Sequence, residues 1–272
     1  MSYYTPEGGL PPQTQLMSAT DRAVVTPAYT FIPKGCNTDI VTLRLPHWNH
    51  TRFWVLARPI EGFATTFWQY MVELGPNGGS DTPDDNPAME HALFVTGGEL
   101  KLVINNTTHT LVAGHFAFIP AGAKWTLKNT SDTNLASVQW IRKHYQAVKG
   151  INAPEAIVVN EQSVNPTVMP DTDGAWATTR FVDPDDVSHD MHVTIVTLAP
   201  GAVIPFLETH VMEHGLFVLQ GKGVYRLNQD WVEVEAGDFM WLRAFCPQAC
   251  YAGGPEPFRY LLYKDMHRHY ES

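Results

Sequence analysis

Short apolar runs recur along the chain, each closed by Gly, Pro or Asn, at residues 52–58, 67–74, 92–95, 100–104, 116–119 and 136–141. The same texture resumes from 191–198 through to 260–264. Runs this short, bounded by turn-forming residues, predict strands and hairpins instead of long helices, so the expected fold class is all-β. Residues 1–45 are rich in Pro, Gly, Thr and polar side chains around one apolar patch at 23–31, and predict an irregular arm that packs on the rest of the chain or on a neighbouring subunit. Residues 146–178, with Pro154, Pro166, Pro170 and Gly174, predict a connector holding one strand at 156–159.

Between arm and connector, and again after the connector, the pattern repeats. Gly78 and Gly201, Gly98 and Gly221, and Gly114 and Gly237 each stand 123 residues apart, and His91 and His214 share that offset. Three coincident glycines at turn-like sites, with the flanking strand pattern also in register, predict two copies of one β-unit in tandem, at 46–145 and 179–272.

Only the second copy keeps a cluster able to hold a metal. Glu208, His210 and His214 have the same parity, so in an extended chain their side chains project from one face. The first copy has Asp85, Pro87 and His91 there, and a proline side chain cannot ligate. His91 is expected to be a hydrogen-bonded structural histidine.

Composition narrows the chemistry. The 272 residues carry a net charge of −10, with a sequence pI near 5.6 and no basic run. A nucleic acid or an anionic membrane is therefore a poor partner, and a small-molecule substrate the better one. Three Cys (Cys36, Cys246 and Cys250) are an odd number in a chain too long to need a disulfide framework, which fits a reducing compartment. With no basic leader and no apolar run of membrane-spanning length, the expected location is cytoplasmic.

Both copies resemble cupin domains, whose first motif places His-x-His and then Glu between two glycines, and whose second ends on a further His. In the second copy Glu208 stands at the first His, His210 keeps the second, and His214 replaces the Glu, six residues before Gly221. The second motif begins at Gly237, and Gln248 occupies the last ligand position. Arg243 and Phe245 replace the Pro and Gly of the turn that the first copy retains at Pro120 and Gly122, where Trp125 fills the last ligand position. This altered set is similar to that of the bicupin (S)-ureidoglycine aminohydrolases.

The resemblance implies two tandem cupin barrels of the double-stranded β-helix, or jelly-roll, type: a metal-free first barrel and a second that binds Mn(II) through Glu208, His210, His214 and Gln248. It implies hydrolysis of (S)-ureidoglycine to (S)-ureidoglycolate and ammonia in purine (allantoin) catabolism. Glu208 and Lys264 would be the catalytic groups, with Glu208, Gln248, Tyr225, Tyr260 and Lys264 against the substrate. Cupins are commonly oligomeric, so a homo-oligomer is expected. Hard oxygen donors suit Mn(II), although imidazole also suits Fe, Ni, Co and Zn. The competing readings are another metal-dependent bicupin enzyme (oxidase, decarboxylase or isomerase) and a non-catalytic binding bicupin. Arg243 is expected at a surface or subunit contact, His267 and His269 in a solvated tail, and Met212 at the pocket floor or in the core. Cys246 and Cys250 flank Gln248 without a second pair to complete a zinc site.

Overall fold

The computed structural model describes residues 22–37, 43–59 and 66–266; most of the predicted N-terminal arm and His267 and His269 lie outside them. The described chain is almost wholly β, in three antiparallel sheets. Among the described residues no helix is long and apolar enough to cross a membrane.

The duplication is visible strand by strand. Glu99–Ile104 and Lys222–Leu227, Thr107–Val112 and Asp230–Glu235, and Trp125–Lys128 and Gln248–Tyr251 correspond at the 123-residue offset. Gly98 and Gly221 both adopt positive φ (72° and 76°), and a Cβ at either would sit about 2.5 Å from a backbone carbonyl, that of Leu135 or Pro257. Only glycine fits such a corner. The offset then falls to 122 in the last strand of each copy, where Arg142 pairs with His91 and Lys264 pairs with His214. The loop before that strand is one residue shorter in the second copy.

The copies differ in one long strand. In the first, Phe67–Ser80 runs unbroken and holds a single nine-stranded sheet together. In the second it is split into Met191–Leu198 and Val203–Glu208, with Gly201 at φ 79° in the break. Met191–Leu198 belongs to an eight-stranded sheet, and Val203–Glu208 edges a separate four-stranded one.

The 23–31 patch, expected to be irregular, forms two strands, Val24–Val25 and Tyr29–Ile32. Tyr29–Ile32 pairs with Phe239–Leu242 of the second barrel, not with the barrel that follows it in sequence. The connector strand Ile157–Asn160 does the converse, pairing with His115–Ile119 of the first barrel. Sequence pattern alone does not show which edge such a strand covers.

Each barrel has its own apolar interior, and a third cluster lies between them. That third cluster joins Phe67, Met71, Phe94 and Phe116 of the first copy to Val193, Phe217, Leu261 and Tyr263 of the second. Phe67 and Tyr263 stack with ring centroids 4.0 Å apart. Each such side chain, fully buried, contributes on the order of 1.5–3 kcal/mol, so the two barrels form one sheet-on-sheet unit.

Candidate metal and substrate site

Strand parity decides what faces the second barrel's interior. On Phe258–Asp265, Tyr260, Leu262 and Lys264 point inward, while Leu261 and Tyr263 point to the first barrel. On Met191–Leu198, His192, Thr194 and Val196 point inward, while Met191, Val193 and Ile195 point outward. The residues beside His214 are held the same way. Glu213 accepts from the Thr66 backbone N–H at 2.8 Å and from Trp241 Nε1 at 3.1 Å. A Cβ on Gly215 would come within 2.8 Å of Phe67 and Gln69 side-chain atoms of the first barrel.

These inward residues line a cavity of about 210 Å³ that contains Glu208, His210, His214, Tyr225, Gln248, Tyr260 and Lys264. Glu208, His210 and His214 do not lie on one extended strand, as their shared parity predicts. Glu208 ends Val203–Glu208, His214 begins His214–Gln220 in the other sheet, and His210 lies in the corner between them. The corner brings the imidazoles together, with ring centroids 4.3 Å apart. It is fixed in turn by the Phe245 backbone N–H, which donates to the His210 carbonyl at 2.7 Å. Phe245 itself has φ 59°, matching Gly122 at φ 80° in the first copy. The backbone turn thus survives the loss of its glycine.

Gln248 lies opposite, pairing with Glu208 across the strands. Its Nε2 is 3.2 Å from His210 Nε2 and 3.5 Å from His214 Nδ1, and its Oε1 accepts from the Tyr225 hydroxyl at 2.9 Å. Tyr225 and Tyr260 pack edge to face at 5.9 Å, and burial raises both phenols well above their ordinary pKa. Both are therefore neutral hydrogen-bonding groups.

The donor set fits a metal ion. Burial, then nearby His210 and Lys264, holds the His214 pKa well below its usual value; burial and Lys264 likewise lower that of His210. Neutral imidazoles are the form that ligates. His210 Nδ1 and His214 Nε2 are buried with no hydrogen-bond partner. An amide can offer its oxygen to the imidazole side by a half-turn about its terminal bond, leaving Nε2 to the Tyr225 oxygen. The gathered set is two imidazoles and an amide. Glu208 lines the same cavity, but among the described residues no three His, Cys, Asp or Glu side chains converge as a metal-binding group. Burial raises the Glu208 pKa against the opposing effect of Lys264, and burial lowers that of Lys264 against Glu208.

The first barrel fills the equivalent space with aromatic rings. Trp125 stands at the position of Gln248 and packs 4.9 Å from His91, whose Nδ1 accepts from Trp140 Nε1 at 3.3 Å. Burial, then Arg142, depresses the His91 pKa to about 3. Tyr70 and Trp140 take the places of Thr194 and Leu262. Arg142 takes the place of Lys264 and is ion-paired with Asp84 at 3.0 Å.

Two titratable cavity residues were not singled out from the sequence, Arg180 and His192. The available signal was alternation, with Trp176, Thr178 and Arg180 on one strand and His192, Thr194 and Val196 on the next. Met212 is half-buried and is not part of the cavity lining. Arg243 is exposed, and its guanidinium donates to the Ala244 carbonyl. Cys246 and Cys250 are buried free thiols in the second-barrel core, with pKa values raised by burial.

The fold and the paired sites define a two-barrel cupin, and the cupin domain family matches residues 70–141 and 194–263. Over 261 residues the chain is 30% identical to the rice (Oryza sativa subsp. japonica) protein named Probable (S)-ureidoglycine aminohydrolase, covering 95% of this chain and 77% of that one. It is 29% identical to the (S)-ureidoglycine aminohydrolase of Escherichia coli strain K12 over 225 residues, 80% of this chain and 81% of that one. The crystal structure of a glyoxylate-induced protein from Pseudomonas aeruginosa superposes with a TM-score of 0.92 at 61% identity, over 100% of this chain and 98% of that one. The chain belongs to the (S)-ureidoglycine aminohydrolase family of the cupins.

Proposed function

We propose that the second barrel hydrolyses (S)-ureidoglycine to (S)-ureidoglycolate and ammonia, with Mn(II) held by His210, His214, Gln248 and Glu208, as a step of purine catabolism. The observation that carries this reading is the pair of neutral imidazoles with unpartnered buried ring nitrogens, set against Gln248 in a cavity that also holds Lys264. Two imidazoles, an amide oxygen and a carboxylate leave positions of an octahedral ion free for substrate. The metal, when bound, would polarise a coordinated atom or lower the pKa of a coordinated water.

The chain's own groups account for the remaining requirements. Lys264 supplies a cation for the substrate carboxylate, and the Tyr225 hydroxyl orients Gln248. Glu208 is the only carboxylate lining the cavity among the described residues. It is therefore the group to take a proton from the attacking water and pass it to the departing amine. The water oxygen bonds to the substrate carbon as the carbon–amine bond breaks, and the nitrogen leaves as ammonia. A reducing cytoplasm suits the three free thiols, and a homo-oligomer is the expected assembly.

Purified protein supplied with Mn(II) is expected to release ammonia from freshly generated (S)-ureidoglycine above the spontaneous rate, to stop at ureidoglycolate, and to lose activity with EDTA. Ammonia no faster than the spontaneous rate would overturn the proposal, and oxygen uptake or carbon dioxide release would replace it with an oxidase or decarboxylase.

A further inference from the structure

Arg180 and His192 have no role in the reaction just described, yet both line its cavity. His192 is 7% exposed, and its Nε2 has no hydrogen-bond partner. Leaving such a nitrogen unpaired costs on the order of 1–3 kcal/mol, and the residue that carries it lines the cavity, which points to a partner supplied by a ligand. Arg180 makes no ion pair among the described residues. It lies close enough to His192 and Lys264 to lower the pKa of both.

Their position follows from strand order. Across the eight-stranded sheet the His214 strand is followed by that of Lys264, then that of His192, then that of Arg180. Adjacent strands lie about 4.8 Å apart, so the His192 strand is about 10 Å from the His214 strand. That span leaves room for a second functional group of the substrate beyond Lys264.

The chemistry of the pair is selective. A guanidinium only donates, whereas the Nε2 of a neutral imidazole accepts in one of its tautomers. Burial, then His189, Lys264 and Arg180, holds the His192 pKa at about 4, so the ring is neutral at pH 7. A carboxylate, which only accepts, would satisfy Arg180 and leave an accepting His192 unmatched. A ureido group offers one carbonyl oxygen and terminal N–H donors, and matches both.

We propose that Arg180 and His192 form a ureido-recognising subsite, in which the guanidinium donates to the carbonyl oxygen and His192 Nε2 accepts a terminal N–H. This rests on the ureidoglycine reading and sharpens it. The reacting amine at the imidazole cluster, the carboxylate at Lys264 and the ureido group at Arg180 and His192 would give the substrate carbon three separate contacts, enough to fix its handedness.

The test is calorimetric binding of two unreactive analogues to the Mn(II)-loaded protein. N-carbamoylglycine keeps the ureido group and the carboxylate; N-acetylglycine replaces the terminal amine by a methyl group. Wild-type protein is expected to bind N-carbamoylglycine about tenfold more tightly, the value of one hydrogen bond of ordinary strength. His192→Phe should bring the ratio to about one by weakening N-carbamoylglycine alone. Arg180→Gln should weaken both analogues about tenfold, and bound manganese should stay unchanged in both variants. A wild-type ratio near one, or a ratio retained in His192→Phe, overturns the proposal. Should His192→Phe fail to fold, Arg180→Gln decides alone, since unchanged affinity for both analogues overturns it as well. Binding is read without turnover, so selective binding without ammonia release would sink the aminohydrolase reading and keep the subsite; active protein without selectivity would do the reverse.

Discussion

Lys143 Nζ, on the last strand of the first barrel, donates to Asp265 Oδ1 at 2.6 Å, immediately beyond Lys264 on the last strand of the second. The same ammonium donates to the Asp190 carbonyl at 2.9 Å and lies 3.6 Å from the Asp190 carboxylate, two residues before His192. Two strands that carry cavity side chains are thus anchored on one buried cation of the other barrel. Lys143→Met takes that cation from two buried carboxylates, and breaking a buried pair in this way costs about 3–5 kcal/mol. We expect a matching fall in urea stability, a lower turnover number, and a smaller loss when Asp265→Leu is added. A strictly additive pair in the double-mutant cycle would show that the contact is not coupled.

Tyr225→Phe removes the hydroxyl that holds Gln248 Oε1. Groups that orient a ligand are typically worth 10–100-fold in metal affinity. We expect manganese affinity to fall by about tenfold or more with little change in thermal stability, as read by metal titration and a melting curve. Unchanged affinity would remove Tyr225 from this role.

His210→Ala should abolish both bound manganese and ammonia release. His91→Ala should leave metal content as in the wild type, because its ring is already engaged by Trp140 and packed against Trp125. Elemental analysis of the two variants separates the barrels, and metal lost from the His91 variant would place a working site in the first.

The buried His91 also makes stability depend on pH. In the unfolded chain a histidine titrates near 6.5, whereas in the folded protein His91 is held down at about 3. The unfolded state therefore takes up the proton first as pH falls. The contribution is fully present above about pH 6.5 and declines toward about pH 3, by up to about 1.4 kcal/mol per pH unit. His91→Leu should show a shallower acid decline in urea midpoints across that window, and an unchanged slope would mean that His91 does not carry the effect.

Much of this was legible in the residues. The glycine offset located the duplicated barrels, because the pairs Gly98 and Gly221, and Gly114 and Gly237, sit at positive-φ corners where a side chain is strained. The same offset sets Gln248 against Trp125 in the sequence alone. Other features were hidden because they depend on what a strand pairs with. Glu208, His210 and His214 share a parity, yet a corner between two sheets brings them to one cavity. Arg180 and His192 resemble any alternating polar residues until the neighbouring strands show that their side faces inward. The place of Tyr29–Ile32 depended on a partner far along the chain.

That last pairing bears on how the protein is made. Ile157–Asn160 covers the edge of a barrel already synthesised, but Tyr29 and its partner Leu242 are about 210 residues apart. At ribosomal rates of about 5–20 residues per second, the N-terminal strand emerges roughly 10 to 40 s before the edge it will cover. During that interval Tyr29 and Phe31, both buried in the finished protein, lack the edge they pair with. The second barrel, where the proposed chemistry resides, is completed by a segment that leaves the ribosome well before the edge it covers.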